Sequence, residues 1–586
     1  MKADSSLLKR HAGPLSLLLV LLLAAAAPYF VPADPDSAVF RSGALSAILA
    51  LAAFFPIRLS LERHSHRELL YGLAFALVFS FCLGLGCELN VYGRLLPSMG
   101  SLLRRLVAPV MLALPLGALF SFVFALRVPS GCSHSRMPFI GFFLLFAACY
   151  GAILLALYPG VISYDFAHEI DQYRSGVYLA AHPVFHTLLL NGLYRLGESL
   201  FGSMTAGAAL YSVVQLLLLA AMYAWACVFV QRRVPPLVTG VLAAMFALLP
   251  FHGVLAVSTA KDPLFAGLFV MLVLQLWEVA ENPGAFASSP WRILRFAACC
   301  LGLTLLRHNS VFAVVPACLT VVLLARRRGL PAAALALLLC LLIPNGLENA
   351  VGAIRISSSE LMSIPCQQLM RTAKTGEVSE EEFAEISAWF SDATSRYWPY
   401  SADPSKGNLD ISRYERSPSE FWSLYFRCAA AHPRVYLEAF LFNTEGLWNP
   451  DDTSHAHTLS SEEYDFIYLN TVYPFPEGAY AIEPRCLFPA LRDILYRSMH
   501  HADHERIPFL SLLFRPSVYT FLLLLTTMLL FLRRQRRLAL TLIPLWGLLL
   551  SLFFAAGVFV RYAYPIMSAV PVMLALAFFA KPQTEA

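Results

Sequence analysis

Long apolar runs alternate with short polar connections along most of this chain. A helix that crosses a bilayer needs about 20 mainly apolar residues, and about fourteen runs approach that length. They lie near 15–32, 43–60, 69–87, 105–126 and 138–158, then near 204–230, 236–256, 262–280, 291–306, 309–325 and 330–346, and finally near 516–532, 537–559 and 562–580. The pattern predicts an all-α polytopic membrane protein. One long stretch, 347–515, breaks it: Trp, Tyr, Pro and charges replace the apolar runs. That length suits a small, mainly helical domain outside the bilayer. Within it, Ser379 followed by Glu382 has the form of a helix start. "ERSPSEFWSLYFRCAAAHPRVYLEAFLFNTEGLWNP" predicts two helices split at His432–Pro433. The organisation is therefore N-terminal helices over 1–137, a transmembrane core over 138–346 with an external loop at 159–203, a soluble domain over 347–515, and C-terminal spans over 516–586.

Composition agrees. The chain is 58% hydrophobic and 14% charged, with mean hydropathy +0.63, against roughly 25% charged residues in soluble domains. Where the charges fall says more than their sum of +5. Lys and Arg collect in cytoplasmic loops. Lys9–Arg10, Arg58–Arg63–Arg67, Arg127–Arg136, Arg232–Arg233, Arg292–Arg295, Arg326–Arg328, Arg533–Arg537 and Lys581 occupy every second connection. Both termini are then cytoplasmic, and the loop 159–203 and the segment 347–515 lie outside; Arg104–Arg105 is a local exception. The first apolar run has signal-peptide features, and whether cleaved or retained it leaves residue 33 onward outside. Cys82, Cys227, Cys299, Cys300, Cys318 and Cys340 sit in apolar runs and read as small apolar residues. Cys366, Cys428 and Cys486 could include one disulfide if their segment is extracytoplasmic. No Walker loop or GxGxxG element appears in a strand–helix setting, and nothing points to nucleic acid.

The external loop gathers the candidate chemistry. Asp165, His168, Glu169 and Gln172 are spaced i, i+3, i+4, i+7, which places them on one face of a helix. Asp171 lies beside that face, and His182–Pro183 starts a second helix carrying His186 one turn on. The plain alternative is a wet loop that carries charges freely. A divalent metal on Asp165, Glu169 and His182 is a further alternative, disfavoured because the spacing matches no zinc or calcium pattern. Elsewhere on the same outer face, "STAKDPLFAGLF" begins a span with Lys261 and Asp262. Asp262 reads either as a helix start or as a ligand. Lys261 runs against the positive-inside bias, which suggests an anionic partner such as phosphate. Arg307, His308 and Asn309 interrupt an apolar stretch, and Arg561–Tyr562 opens the last span. Each Arg is either snorkelling at a turn or functional, because ionisable residues at membrane depth are rare without a role. Arg suits bidentate phosphate binding. A carboxylate facing several cations fits transfer from a phosphate-linked donor: a base takes the acceptor proton while cations hold the leaving phosphate.

With these motifs in place, the chain resembles the GT-C class of integral-membrane glycosyltransferases. The resemblance rests on "PGVISYDFAHEIDQ" with "HPVFH", on "STAKDPLF", "LRHNS" and the closing "VRYAYPIM", over roughly residues 138–580. It looks closest to a bacterial branch in which "SIPCQQLMRT" and "HPRVYLEAFLFNTEGLWNP" have counterparts. The resemblance implies a GT-C-like helical bundle in a bacterial cytoplasmic membrane, inverting transfer from a polyprenyl-phosphate sugar donor, and an extracytoplasmic acceptor. By position Asp165 matches the general base, with Glu169 and Asp171 as second choices. His182, Gln172, Lys261, Asp262, Arg307, His308, Asn309, Arg561 and Tyr562 would line the substrate site. The loop lacks an Asp-x-Asp or adjacent acid pair, which argues against metal dependence. Two rivals stand beside this reading: a transporter or flippase of a lipid-linked precursor, and a scaffold that kept the fold without the chemistry.

Overall fold

Bilayer hydrocarbon leaves backbone polar groups no partner but each other, so the apolar runs fold as helices. A computed structural model of the 586-residue chain describes residues 9–26, 29–30, 43–126, 136–354, 362–375, 377–452, 482–500, 503–507 and 509–580. Among the described residues there is no strand, only isolated bridges. The protein is an all-α membrane protein. Arg127 and Lys581 of the charge pattern lie outside the described residues.

The membrane part begins with α1 (Ala12–Ala26), α2 (Gly43–Arg63), α3 (His66–Tyr92), α4 (Met99–Ala125) and α5 (Phe139–Ala156). The loop 159–203 folds as α6 (Tyr164–Ser175) and α7 (Val184–Phe201). Then come α8 (Met204–Val230), α9 (Pro236–Leu248), α10 (Pro250–Ala256), α11 (Asp262–Glu281), α12 (Pro290–Leu306), α13 (Val311–Ala325) and α14 (Leu330–Ala350). Among the described residues seven helices are long and apolar enough to cross a membrane, or up to eight with one bent pair. These are α3, α4, α5, α8, α11, the stretch His308–Ala350 and Val560–Phe579. The count of about fourteen is not reached by this measure. The run near 15–32 yields a helix of 15 residues and that near 291–306 one of 17. The run near 537–559 splits into Arg536–Leu540 and Ile543–Leu552. His308–Ala350 is interrupted at Arg326–Gly329, where Arg326 has φ 55°. There α13 and α14 fold back and pack on each other, and a Cβ on Gly329 would meet the Val321 carbonyl at 2.6 Å.

The bent pair is α9 and α10, which meet at 56°. Pro250 has no N–H, so the Phe246 carbonyl one turn earlier loses its helical donor. The Tyr150 hydroxyl fills that vacancy at 2.8 Å. Behind the bend, His252 Nδ1 contacts the Tyr564 hydroxyl at 2.8 Å, and Tyr223 donates to Tyr564 at 2.7 Å.

The segment after α14 carries α15 (Ser363–Thr375), α16 (Pro418–Ala431) and α17 (Pro433–Asn443) around a core of its own that includes Cys366, Trp389, Phe421 and Cys428. The expected cap is present: the Ser379 hydroxyl accepts from the Glu382 amide at 3.1 Å. The expected split falls at His432, which caps α17. Cys366, Cys428 and Cys486 are free thiols rather than a disulfide. This segment docks on the link between α3 and α4. Arg371 binds Glu438 at 2.7 Å and the Gly93 carbonyl at 2.9 Å, while Glu438 accepts from the Leu95 amide at 2.8 Å. The same link explains the exception in the charge pattern: Arg105 turns back to pair with Glu88 and to cap the Leu96 carbonyl. The chain closes with α18 (Pro516–Leu532) and α19 (Val560–Phe579).

Candidate functional site

Two backbone segments set the site. Residues before α6 and before α11 run side by side: the Val161 amide donates to the Val257 carbonyl at 3.0 Å, and the Thr259 amide to the Val161 carbonyl at 2.9 Å. Thr259 Oγ1 accepts from the Ser163 amide at 2.8 Å. The approach requires glycine at 160, where φ is +122° and a Cβ would lie 2.2 Å from Ser212 Oγ and 2.5 Å from the Val257 carbonyl. This zip brings the start of α6 beside the residue that precedes α11.

Asp165 and Lys261 meet there. Lys261 Nζ lies 2.9 Å from Asp165 Oδ2 and 3.2 Å from His182 Nδ1, and Arg561 Nη1 stands 3.8 Å from the same carboxylate oxygen. Burial alone would raise the Asp165 pKa. Lys261 and Arg561 outweigh it and hold the carboxyl far below the usual range. His182 is pushed down by burial and by the Lys261 ammonium, so its neutral Nδ1 can accept from that ammonium.

A second ion pair adjoins the first. Arg307 Nη1 binds Asp262 Oδ1 at 2.5 Å, and Asp262 is 1% exposed in the first turn of α11. Tyr562 lies between the two guanidinium groups: Arg307 is 4.8 Å and Arg561 4.9 Å from its ring centre. A cation close to an aromatic ring is favoured by the ring quadrupole. Asp262 is thus both a helix start and the counter-ion of Arg307.

Of the face expected on α6, Asp165, Glu169 and Gln172 are buried, whereas His168 is exposed at its edge, its ring 6.4 Å from that of His182. Asp171 is exposed. Phe166 and Ile170 point into protein, packed with Leu190, Tyr194 and Tyr211. Gln172 braces the loop, its Oε1 accepting from the Leu179 amide at 3.0 Å. The loop is tied to the exit of α14 by Ala180 N to Ile354 O at 2.9 Å and Ile354 N to Tyr178 O at 2.8 Å. His308 bonds the backbone of Ala180, and Asn309 Oδ1 is buried without a partner among the described residues.

Glu169 leads to a network that the sequence reading did not assign. It is fully buried and contacts His186 Nδ1 at 2.7 Å; His186 Nε2 is 2.8 Å from the Tyr211 hydroxyl, which donates to Gln215 Oε1 at 3.0 Å. Gln215 Nε2 faces the carbonyls of Leu255, Ala256 and Ser258, which fixes the amide orientation. Tyr211 must then donate to Gln215 and accept from His186. With Nε2 donating, one proton is shared across the Glu169–His186 contact. Glu169 Oε1 keeps no partner among the described residues. Tyr211 and Gln215 recur at i, i+4 in an apolar helix, and that was the available signal.

Asp165, Glu169 and His182 each bring a ligand atom within 4.8 Å of the others. The Lys261 ammonium bonds two of the three, so a positive charge already stands where a cation would lie. The set offers carboxylate and imidazole donors, and a metal there would compete with Lys261.

Residues 164–586 match the profile of DUF6020, a family of unknown function, and the chain belongs to that family. No curated protein matches the chain. No solved structure matches it either.

Proposed function

We propose that this DUF6020 member is an inverting glycosyltransferase of a bacterial cytoplasmic membrane. In this reading the bundle approaches fourteen spans, and the site and the 347–515 domain face outward. The observation that carries the proposal is the meeting of one buried carboxylate, Asp165, with Lys261 and Arg561 at the ends of separate membrane helices. The donor is a polyprenyl-phosphate sugar and the acceptor an extracytoplasmic hydroxyl. Asp165 takes the hydroxyl proton, the acceptor oxygen bonds the anomeric carbon, and the bond from that carbon to phosphate breaks. The polyprenyl phosphate leaves with its negative charge held by Lys261 and Arg561.

A carboxylate gripped by two cations is a weak base. An incoming phosphate competes for those cations, loosens their hold on Asp165 and raises its basicity as the donor binds. Glu169, through its contact with His186, holds α6 against α7. Arg307 acts by steering Tyr562, because its own charge is answered by Asp262. The test is purified full-length protein supplied with polyprenyl-phosphate sugars. Wild type transfers or hydrolyses them, and Asp165→Asn does not. Full activity in Asp165→Asn removes Asp165 as the base.

The bent α9–α10 pair with its buried His252–Tyr564–Tyr223 contacts favours a second reading, a transporter or flippase of a lipid-linked precursor, since such proteins use broken helices and polar groups within the membrane. Movement of a labelled lipid-linked sugar across reconstituted vesicles, with no transfer, would select it.

A further inference from the structure

A second charged cavity lies apart from Asp165, where the external segment meets the outer end of α3. It measures about 330 Å³ and is walled by α15, α17 and the Gly93–Arg94 corner. That size accepts a small polar ligand. Its cations are Arg94, Arg371, Lys374 and Arg434; its acids are Glu377 and Glu438. The acids are spoken for. Arg371 holds Glu438 at 2.7 Å and Arg434 holds Glu377 at 2.6 Å. Lys374 makes only a 3.3 Å contact to the Thr394 carbonyl and lies 5.8 Å from the Tyr397 ring. Among the described residues Arg94 has no ion pair. Two exposed cations therefore remain uncompensated at the rim of the cavity, while the paired ones form a fixed frame behind them.

We propose that this cavity binds a phosphate ester. Lys374 and Arg94 meet the phosphate charge, and Tyr397 and Thr375 border the organic part. Arg and Lys together suit phosphate, the first through its planar fork and the second as a point charge. The corner at Arg94 follows directly on α3, a membrane-spanning candidate, so the cavity lies at an end of that helix. The ester is accordingly either a soluble phosphate compound or the headgroup of an anionic lipid.

Full-length protein in nanodiscs separates the sources. In phosphatidylcholine discs, sn-glycerol 3-phosphate is titrated and the thermal midpoint followed; in parallel, discs containing phosphatidylglycerol replace the titration. A rise with glycerol phosphate identifies a soluble ester, and a rise with phosphatidylglycerol alone identifies a lipid headgroup. Lys374→Ala should weaken the response about tenfold, the loss of one charge-assisted contact, and adding Arg94→Ala about tenfold more. Both side chains are exposed at the cavity mouth, so the variants fold. Asp165→Asn should leave this response intact, which separates it from the glycosyl-transfer reading. No midpoint shift with either probe, or equal shifts in wild type and the double variant, overturns the proposal.

Discussion

Replacing Lys261 by Met tests the heart of the site. At 2.9 Å and an effective dielectric of about 20, the attraction between Lys261 and Asp165 is about 6 kcal/mol before desolvation, and that between Arg561 and Asp165 at 3.8 Å about 4 kcal/mol. Removing one partner of a buried pair typically costs about 3–5 kcal/mol, because the other charge stays buried. Arg561 remains to answer Asp165, so Lys261→Met should cost about 2–4 kcal/mol. The apparent thermal midpoint in detergent should fall by a few degrees. Asp165→Asn should also lower it, since Lys261 is then left beside a neutral amide. The double variant removes both charges and should lose less than the sum of the single losses. Additive losses would refute the coupling drawn from the geometry. The pH dependence supplies a second readout. Asp165 is depressed in the folded protein, so its stabilisation is full above the unfolded value near 4 and is lost as pH falls below it toward the folded value. That acid-side component should vanish in Asp165→Asn.

Three further outcomes follow from particular contacts. Gly160→Ala should destabilise the chain by about 2 kcal/mol or more, read as a lowered midpoint, because its Cβ meets Ser212 Oγ and the Val257 carbonyl in a left-handed backbone. Glu445 is pushed up to about 8 by burial and by Asp452. Raised above its unfolded value, it contributes stability that is full below about pH 4.5 and is lost as pH rises through about 8, so Glu445→Gln should flatten the decline of the midpoint between about pH 4.5 and 8. Cys366 and Cys428 are buried free thiols. They should resist alkylation in the native protein and react on unfolding without prior reduction; a need for reductant would contradict the free-thiol assignment.

The sequence displayed some of this and concealed the rest for identifiable reasons. Helical spacing put Asp165, His168, Glu169 and Gln172 on one face because a helix face is a local property. That Asp165, Glu169 and Gln172 are buried while His168 is exposed depends on what packs against α6. Lys261 stood out because it falls in a connection that the alternation of Lys and Arg clusters leaves uncharged. Its bond to Asp165 was not legible, since 96 residues separate them and the contact depends on the Val161–Val257 backbone pairing. Asp262 announced a helix start, while its partner Arg307 lies 45 residues away. Tyr211 and Gln215 were hidden by the apolar run around them, although polar side chains one turn apart in such a run are an internal signal. The count of spans suffered most, because apolar runs do not reveal where Pro and Arg turns cut a helix short.

The two backbone bonds between Tyr178–Ala180 and Ile354 have a mechanical meaning. Ile354 is the first stretch of chain after α14, and Ala180 is two residues from His182. A tilt of α14 in the bilayer would therefore pull on the strap that carries His182 past Lys261. The lipid that sets the tilt of one helix thus has a lever on the spacing of the charged groups, and bilayer thickness becomes a variable to which this site should respond.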